Sequence, residues 1–511
     1  MSTEVQTPTE RVLPFGISPR RFYRGLEALP GIAVWTTLVL ALVISWVEPL
    51  WAIVFVLCFD VFWLIRVLYV MSYVIGAYRR FRQASLISWR ERMETLPGWQ
   101  DIYHIIVLPT YKEPYEVLES TITSLTNITF PLNRVFVVLA TEARDAAHAR
   151  AYGTRLQEKF AGRFGDFLVT EHPAGLPGEM AGKGANIAWA GPAMRQLIDE
   201  RKIPYANILV STFDADTIAH PQYFSYLTTV FLQHPDRLHT SYQPIPVFHN
   251  NVWDALAVTR VVANSTTFWL LSEAMRPDRL FTFSSHSMPW QALVDVGFWQ
   301  NDVVSEDSRI FLQCFLRYDG RYTVTPMYIP VSMDTVQGAN WWQSLKNQYL
   351  QIRRWAYGVE NFPFMAWNFW HNPHIARRLK IKYLWNQFEG TFSWAVAPVL
   401  ILILGWLPFR LRSAKLATSA LAYNAPATIQ ALMIGAMVGL LATAVMSVRL
   451  LPARPKHVPG WQWVMMIVQW LLLPVTMIVF GSIPAIEAQT RLMLGKYLGF
   501  FVTEKSRKNS A

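Results

Sequence analysis

NILVSTFDADT, residues Asn207 to Thr217, is an apolar run of strand type that breaks off into two aspartates separated by one alanine. Its residues read as a buried strand, and Asp214 and Asp216 fall at its carboxyl end. On an extended chain alternate side chains point the same way. Both carboxylates can then converge on one hard cation, Mg²⁺ or Mn²⁺, which takes oxygen ligands and completes its shell with substrate phosphates. A solvated turn after a strand carries the same residues, so the pair needs a context.

The surrounding chain supplies one. Strand-like runs recur at HIIVLPTY (104–111), RVFVVLATE (134–142), FLVTEH (167–172) and RYTVTPMYIP (321–330), with helical patterns between several of them, as at 183–200. Such alternation predicts an α/β layer with a mostly parallel sheet, in which ligands sit at the carboxyl ends of strands. A second acid pair, Glu306 and Asp307, opens an apolar-periodic helix, with Ser305 as the expected N-cap. GKGAN places Lys183 between two glycines at a helix start, where backbone N–H groups and the helix dipole attract anions, and Asn186 follows one turn on. The chain has no GxxxxGK[ST] stretch, which excludes a phosphate loop of the triphosphatase type.

Composition sets the location. Of 511 residues, 52% are hydrophobic and only 16% charged, with a mean hydropathy of +0.20, whereas soluble domains carry roughly 25% charged residues. Apolar runs at Ile32–Val47, Trp51–Met71, Thr391–Phe409, Ala431–Val448 and Trp461–Phe480 each approach the roughly 20 residues that cross a bilayer as a helix. Arginines flank the first pair on both sides, so its two ends and the long middle segment are expected in the cytoplasm. The same placement assigns the net charge of +11 to a lipid surface and not to nucleic acid. Cys58 lies in an apolar run and Cys314 in the middle segment, which argues against a disulfide and against CxxC metal chemistry. Inside the membrane Asp60 is a candidate functional carboxylate, and Arg66 is read as snorkelling.

In chain order PTYKEP (109–114), ATE (140–142), KGAN (183–186), DAD (214–216), SED (305–307) and QIRRW (351–355) resemble the motif series of family 2 glycosyltransferases. The membrane-embedded processive synthases of the cellulose, chitin and hyaluronan type are the most similar group. FFVTEK, Phe500 to Lys505, is similar to the gating loop of bacterial cellulose synthases. The resemblance implies a GT-A-type catalytic domain between N- and C-terminal transmembrane helices, with interfacial amphipathic helices. The expected layout is a cytoplasmic tail at 1–29, two transmembrane helices at 30–75 and a basic amphipathic linker at 76–97. The cytoplasmic catalytic domain follows at 98–340, then interfacial helices with QxxRW at 341–382. Three transmembrane or partly re-entrant segments occupy 383–485, and a basic segment with the gating-loop motif 486–511. Three later spans would leave the C-terminus outside, while FFVTEK and the basic residues around it argue for inside. The run Trp461–Phe480, interrupted by Pro474, is therefore expected to be re-entrant or interfacial.

Residue by residue, the resemblance implies that Thr110, Tyr111 and Glu113 hold the nucleotide base, with Glu142 as the first family acid. Asp214 and Asp216 would bind Mg²⁺ or Mn²⁺ and the donor diphosphate, beside Lys183 and Asn186. Asp307, next to Glu306, would be the general base on the acceptor hydroxyl. Gln351, Arg354 and Trp355 would line the acceptor end and the diphosphate, and Thr503 and Lys505 would belong to the gating loop. The partners implied are a nucleotide-diphosphate sugar, with UDP favoured, a polysaccharide or lipid acceptor and the membrane, leaving room for an accessory export subunit. The location implied is a bacterial-type inner membrane. Departures from the pattern are glutamate as the first acid, SED in place of TED, and Ser285 and His286 where the acceptor region usually carries a glycine. Two alternatives stand beside a processive synthase. One is a single-transfer enzyme that makes a glycolipid, and the other is a membrane protein that binds a nucleotide sugar without turning it over.

Overall fold

Along β1 (Tyr103–Pro109) and β2 (Val135–Glu142), neighbouring side chains enter opposite cores. Ile106, Leu108, Val137 and Leu139 join one apolar layer, and Ile105, Val107, Phe136 and Val138 the other. Burial on both faces is what near-continuous apolar strands require, and it selects a parallel sheet covered by helices. The computed structural model describes residues 18–411, 419–456 and 458–501. Its sheet has eight strands in the order β3-β2-β1-β4-β7-β6-β8-β5, with β3 at Asp166–His172, β4 at Ile208–Thr212, β5 at Ile218–Ala219, β6 at Thr240–Val247, β7 at Ser287–Pro289 and β8 at Thr323–Ser332. The β3-β2-β1-β4 half is parallel, as is β6 with β8, while β7 and β5 pair antiparallel.

Two sequence expectations change here. The strand expected over 207–216 stops at Thr212. The Phe213 N–H donates to Val107 O, and a turn closed by Thr217 N–H on Asp214 O at 2.9 Å follows. The rule that alternate side chains point the same way therefore ends before Asp214. β6 was not foreseen, because TSYQPIPV carries two prolines that cannot donate to a ladder. It is accommodated by a register shift between Gln243 and Ile245, around Pro244.

The helices that position the site are α3 (Lys183–Glu200), α4 (Ala257–Ala274), α5 (Glu306–Arg317) and α6 (Trp341–Ala356). Five helical segments are long and apolar enough to cross a membrane. They are α1 (Pro19–Val47), α2 (Pro49–Leu86), α7 (Arg377–Arg410), α8 (Ala420–Leu450) and the segment Gln462–Met493, which ends in α9 (Ile483–Met493). The expected linker at 76–97 is largely helix, since α2 continues to Leu86; no glycine or proline interrupts AYRRFRQASL.

The fifth segment contains a 3₁₀ turn at Gln469–Leu472 and a π turn at Ile478–Ser482 on either side of Pro474. Its first half packs on the sheet domain. Trp463 lies against Trp253, and Arg260 of α4 donates to Gln469 at 2.7 Å. At its other end, Arg24 near the start of α1 donates to Met493 O at 3.0 Å.

Candidate active site

Lys183 is the first residue of α3, and its ammonium group gathers the acids. It donates to Asp214 Oδ1 at 2.9 Å and to both oxygens of Asp307 at 2.9 and 3.0 Å, with Glu306 Oε1 at 3.7 Å. Three carboxylates from two sequence motifs thus surround one buried cation. Burial by itself would lower the Lys183 pKa, but the charges of Asp214, Asp307 and Glu306 raise it, so the ammonium form is fixed. Glu306 is pushed up to about 8 by burial and by Asp307, against the pull of Lys183 and Arg354. The starts of α3 and α5 approach closely at Gly184, where a Cβ would meet Glu306 Cβ at 3.1 Å.

α5 begins as expected, but not with the expected cap. Ser305 makes no side-chain cap bond to its helix. Its hydroxyl and N–H, with the N–H of Val304, donate to the half-buried Glu360 carboxylate at 2.7, 2.9 and 3.0 Å. A carboxylate is the stronger acceptor, so the serine turns outward from the helix.

The stretch 281–290, which departs from the family pattern, closes one wall. Ser284 donates to Asp214 Oδ2 at 2.6 Å, Thr282 donates to Asp307 O at 2.6 Å, and Ser285, at φ 64°, bonds Thr217. His286 is buried and its pKa is lowered, chiefly by that burial. Its Nδ1 bonds Phe283 O at 2.9 Å, and its Nε2 has no partner among the described residues. The Asp307 Oδ1 lies 4.0 Å from Nδ1, so His286 backs the acid without bonding it.

At the carboxyl ends of β1 and β2, Glu113 folds back on its own loop and accepts from Thr110 Oγ1 at 2.9 Å and from the Tyr111 N–H. Glu142 is buried, which raises its pKa, while Arg144 opposes that shift and bonds it through Nε at 2.6 Å. The same guanidinium lies 4.3 Å over the Tyr111 ring. Asp145 accepts from Lys112 N–H at 3.1 Å. Asn186 does not face this loop with its amide nitrogen; Nδ2 donates to Ala140 O at 2.8 Å and ties α3 to β2.

Asp216 lies two residues beyond Asp214 in the turn after β4. It is buried, and its Oδ2 accepts from the Asp334 N–H at 3.0 Å, just after β8. Among the described residues no group of three or more Asp, Glu, His or Cys side chains is arranged to hold a metal ion. The side-chain groups next to Lys183 are nonetheless all oxygen ligands, from Asp214, Asp307 and Glu306, a set that fits Mg²⁺ or Mn²⁺ sharing substrate phosphates.

α6 brings QxxRW to the opposite rim. Gln351 accepts from Gln348, and Trp355 packs against Phe248 and Met333 beside the ends of β6 and β8. The Arg354 guanidinium lies 4.6 Å over the ring of Phe500, and its Nε has no partner among the described residues. Phe500 also fills the space in front of Gly182, where a Cβ would come within 2.5 Å of its ring. The first residue of FFVTEK therefore bridges the helix that carries Lys183 and the helix that carries Arg354. Thr503 and Lys505 lie outside the described residues.

The sequence profile described as "Glycosyl transferase family group 2" matches residues 209–483, more than half of the chain. The chain belongs to glycosyl transferase family group 2. Its sheet, parallel over β3-β2-β1-β4, is set between long apolar helices. No curated protein sequence matches it. Among solved structures it is similar to the mannosyltransferase PcManGT from Pyrobaculum calidifontis in complex with GDP-Man and Mn²⁺. That likeness has 14% identity and a TM-score of 0.39, covering 80% of this chain and 99% of that one. It is also similar to S. aureus TarS 1–349 in complex with UDP-GlcNAc, with 15% identity and a TM-score of 0.33, covering 70% and 95% of the two chains.

Within this family member, four side chains that hold the site carried no sequence signal. Arg144, Ser284 and Glu360 stand in no motif, and Arg309 reads as an ordinary helix cation. Yet Arg309 is buried, donates to Asn361 at 2.7 Å and lies 3.8 Å over the Phe364 ring, which anchors α5 to the segment after α6. The one available hint was that Arg309 falls on the apolar face of an amphipathic helix, four residues after Ser305.

Proposed function

We propose that this family group 2 member is an inverting glycosyltransferase that moves a sugar from a nucleotide-diphosphate sugar, UDP-linked by preference, to a β-linked polysaccharide at the membrane. We further propose that it works processively and exports the product between its apolar helices. The observation that carries the reading is the convergence of Asp214, Asp307 and Glu306 on Lys183 at the carboxyl end of β4.

Asp307 is the proposed general base. It takes the proton of the acceptor hydroxyl as that oxygen attacks the anomeric carbon, and the carbon–oxygen bond to the diphosphate breaks with inversion. Lys183 keeps Asp307 oriented and supplies positive charge for the departing diphosphate. Arg354 offers a planar fork for phosphate oxygens from the other rim. Mg²⁺ or Mn²⁺ bound at Asp214 and Asp216 would add Lewis-acid charge to the leaving group. Tyr111 and Arg144 form a stacked pair on which a base can lie, beside Thr110, Glu113 and Glu142. Trp355 offers an apolar face to the acceptor.

The proposed topology has the catalytic domain and the C-terminus on the cytoplasmic side. Contacts of the fifth segment support it: its start touches the sheet domain, and its end touches the start of α1. A segment that begins and ends on one side is interfacial or re-entrant.

The test is nucleotide diphosphate release by the protein in nanodiscs, offered UDP- and GDP-sugars with Mg²⁺ or Mn²⁺. Release with one donor, lost on chelation and reduced about 10²–10⁴-fold in Asp307→Asn, is expected. Product that stays at the gel origin supports processivity, and a single lipid-linked sugar refutes it. Undiminished release by Asp307→Asn would refute the assignment of the base.

A further inference from the structure

A cavity of about 450 Å³ opens between α1 and α9 and shares no residue with the Lys183 cluster. Its composition changes along α9. Ile483 and Ile486 line one end, and Arg491 with Lys496 the other. At 1.5 Å per residue, Ile483 and Arg491 are separated by roughly 12 Å along the helix axis. Trp35 forms the facing wall. It stands just inside the apolar run that begins at Ile32, is 44% exposed, and donates through its indole to Thr490 Oγ1 at 2.9 Å. An indole that is half apolar and half hydrogen-bonded marks the membrane–water boundary.

Among the described residues the charge at the polar end is not balanced. Glu487 accepts from Arg353 and from Arg491, each at 2.7 Å, and from the Tyr349 hydroxyl at 2.7 Å. Two guanidiniums thus share one carboxylate. Lys496 is exposed at the rim, and among the described residues it pairs with no carboxylate. The cavity therefore offers excess positive charge at one end and aliphatic surface at the other.

We propose that this cavity binds the phosphate headgroup of an anionic membrane lipid, with Arg491 and Lys496 on the phosphate and the acyl chains along Ile483 and Ile486. The proposal rests on the apolar helices lying in a membrane and not on the transfer chemistry. It also gives Glu487 a position between the lipid and α6, because Arg353 directly precedes Arg354.

The full chain is reconstituted in nanodiscs containing equal phosphatidylglycerol and phosphatidylcholine, and the lipid retained after release from the disc is counted by native mass spectrometry. Wild type is expected to retain phosphatidylglycerol selectively. Basic side chains at an anionic surface contribute about 1 kcal/mol each, so Arg491→Gln with Lys496→Gln should weaken retention roughly tenfold or more. Lys496→Glu alone, at an exposed position that leaves Glu487 bonded, should weaken it several-fold. In parallel, inorganic phosphate is titrated into the protein in phosphatidylcholine discs. No phosphate binding is expected there. Phosphate binding lost in the double variant, without lipid selectivity, would overturn the lipid in favour of a free anion. Equal retention of both lipids, or unchanged selectivity in both variants, would overturn the site. Failure of the chain to enter discs at all would overturn the membrane reading beneath it.

Discussion

Replacing Lys183 with methionine keeps the length of the side chain and removes the charge that holds three carboxylates together. At an effective dielectric of about 20, two unit charges 4 Å apart attract by about 4 kcal/mol, and Lys183 has two such partners, Asp214 and Asp307, at 2.9 Å, with Glu306 at 3.7 Å. Most of that attraction offsets the cost of taking the charges out of water. What the variant exposes is the uncompensated remainder, which for a broken buried pair is about 3–5 kcal/mol. Against a typical net stability of about 5–15 kcal/mol, this is a large fraction. For a domain of this size, such a loss lowers the thermal midpoint by roughly 10 °C. Protonation relieves the orphaned acids, so the deficit of Lys183→Met should be smaller at pH 5 than at pH 8. Turnover, read as nucleotide diphosphate release, should fall by about 10²–10⁴-fold, because the base loses its orientation and the leaving group its charge. Lys183→Arg should restore part of the midpoint. A methionine variant with a wild-type midpoint, or with the same deficit at both pH values, would refute the idea that this cation organises the site.

Further predictions follow from neighbouring contacts. The folded pKa of Glu306 is raised by burial from 4.5 to about 8, so the folded form binds its proton more tightly than the unfolded chain does. This group therefore favours the fold below pH 4.5, and that contribution is lost as pH rises through about 8. Glu306→Gln should accordingly raise the thermal midpoint more at pH 8 than at pH 5, and a pH-independent effect would count against it. Glu360→Ala leaves three donors of the loop before α5 unpaired, at about 1–3 kcal/mol each when buried. Thermal unfolding should show a loss of several degrees, and Glu360→Gln should recover part of it. Gly182→Ala would collide with Phe500 and displace it. If that ring covers the donor, KM for the nucleotide sugar should shift several-fold with the midpoint nearly unchanged, and an unaltered KM would refute the cover.

The α/β layer was legible in the residues alone, because continuous apolar strands alternating with amphipathic helices are buried as a parallel sheet between two cores. The five apolar segments were legible as well, since a run of apolar residues is a linear property. β6 escaped because its prolines contradict the local rule, and a register shift compensates. Which acids meet was decided only in three dimensions. Spacing pairs Asp214 with Asp216, yet the turn after β4 gives Asp216 to the Asp334 N–H and leaves Asp214 with Lys183, Ser284 and, through Lys183, Asp307. Ser305 looks like a cap until Glu360, more than fifty residues later, outbids its helix. Arg309 showed only its place on an apolar helix face, because a buried charge is defined by partners that the fold brings from elsewhere in the chain, here Asn361 and Phe364.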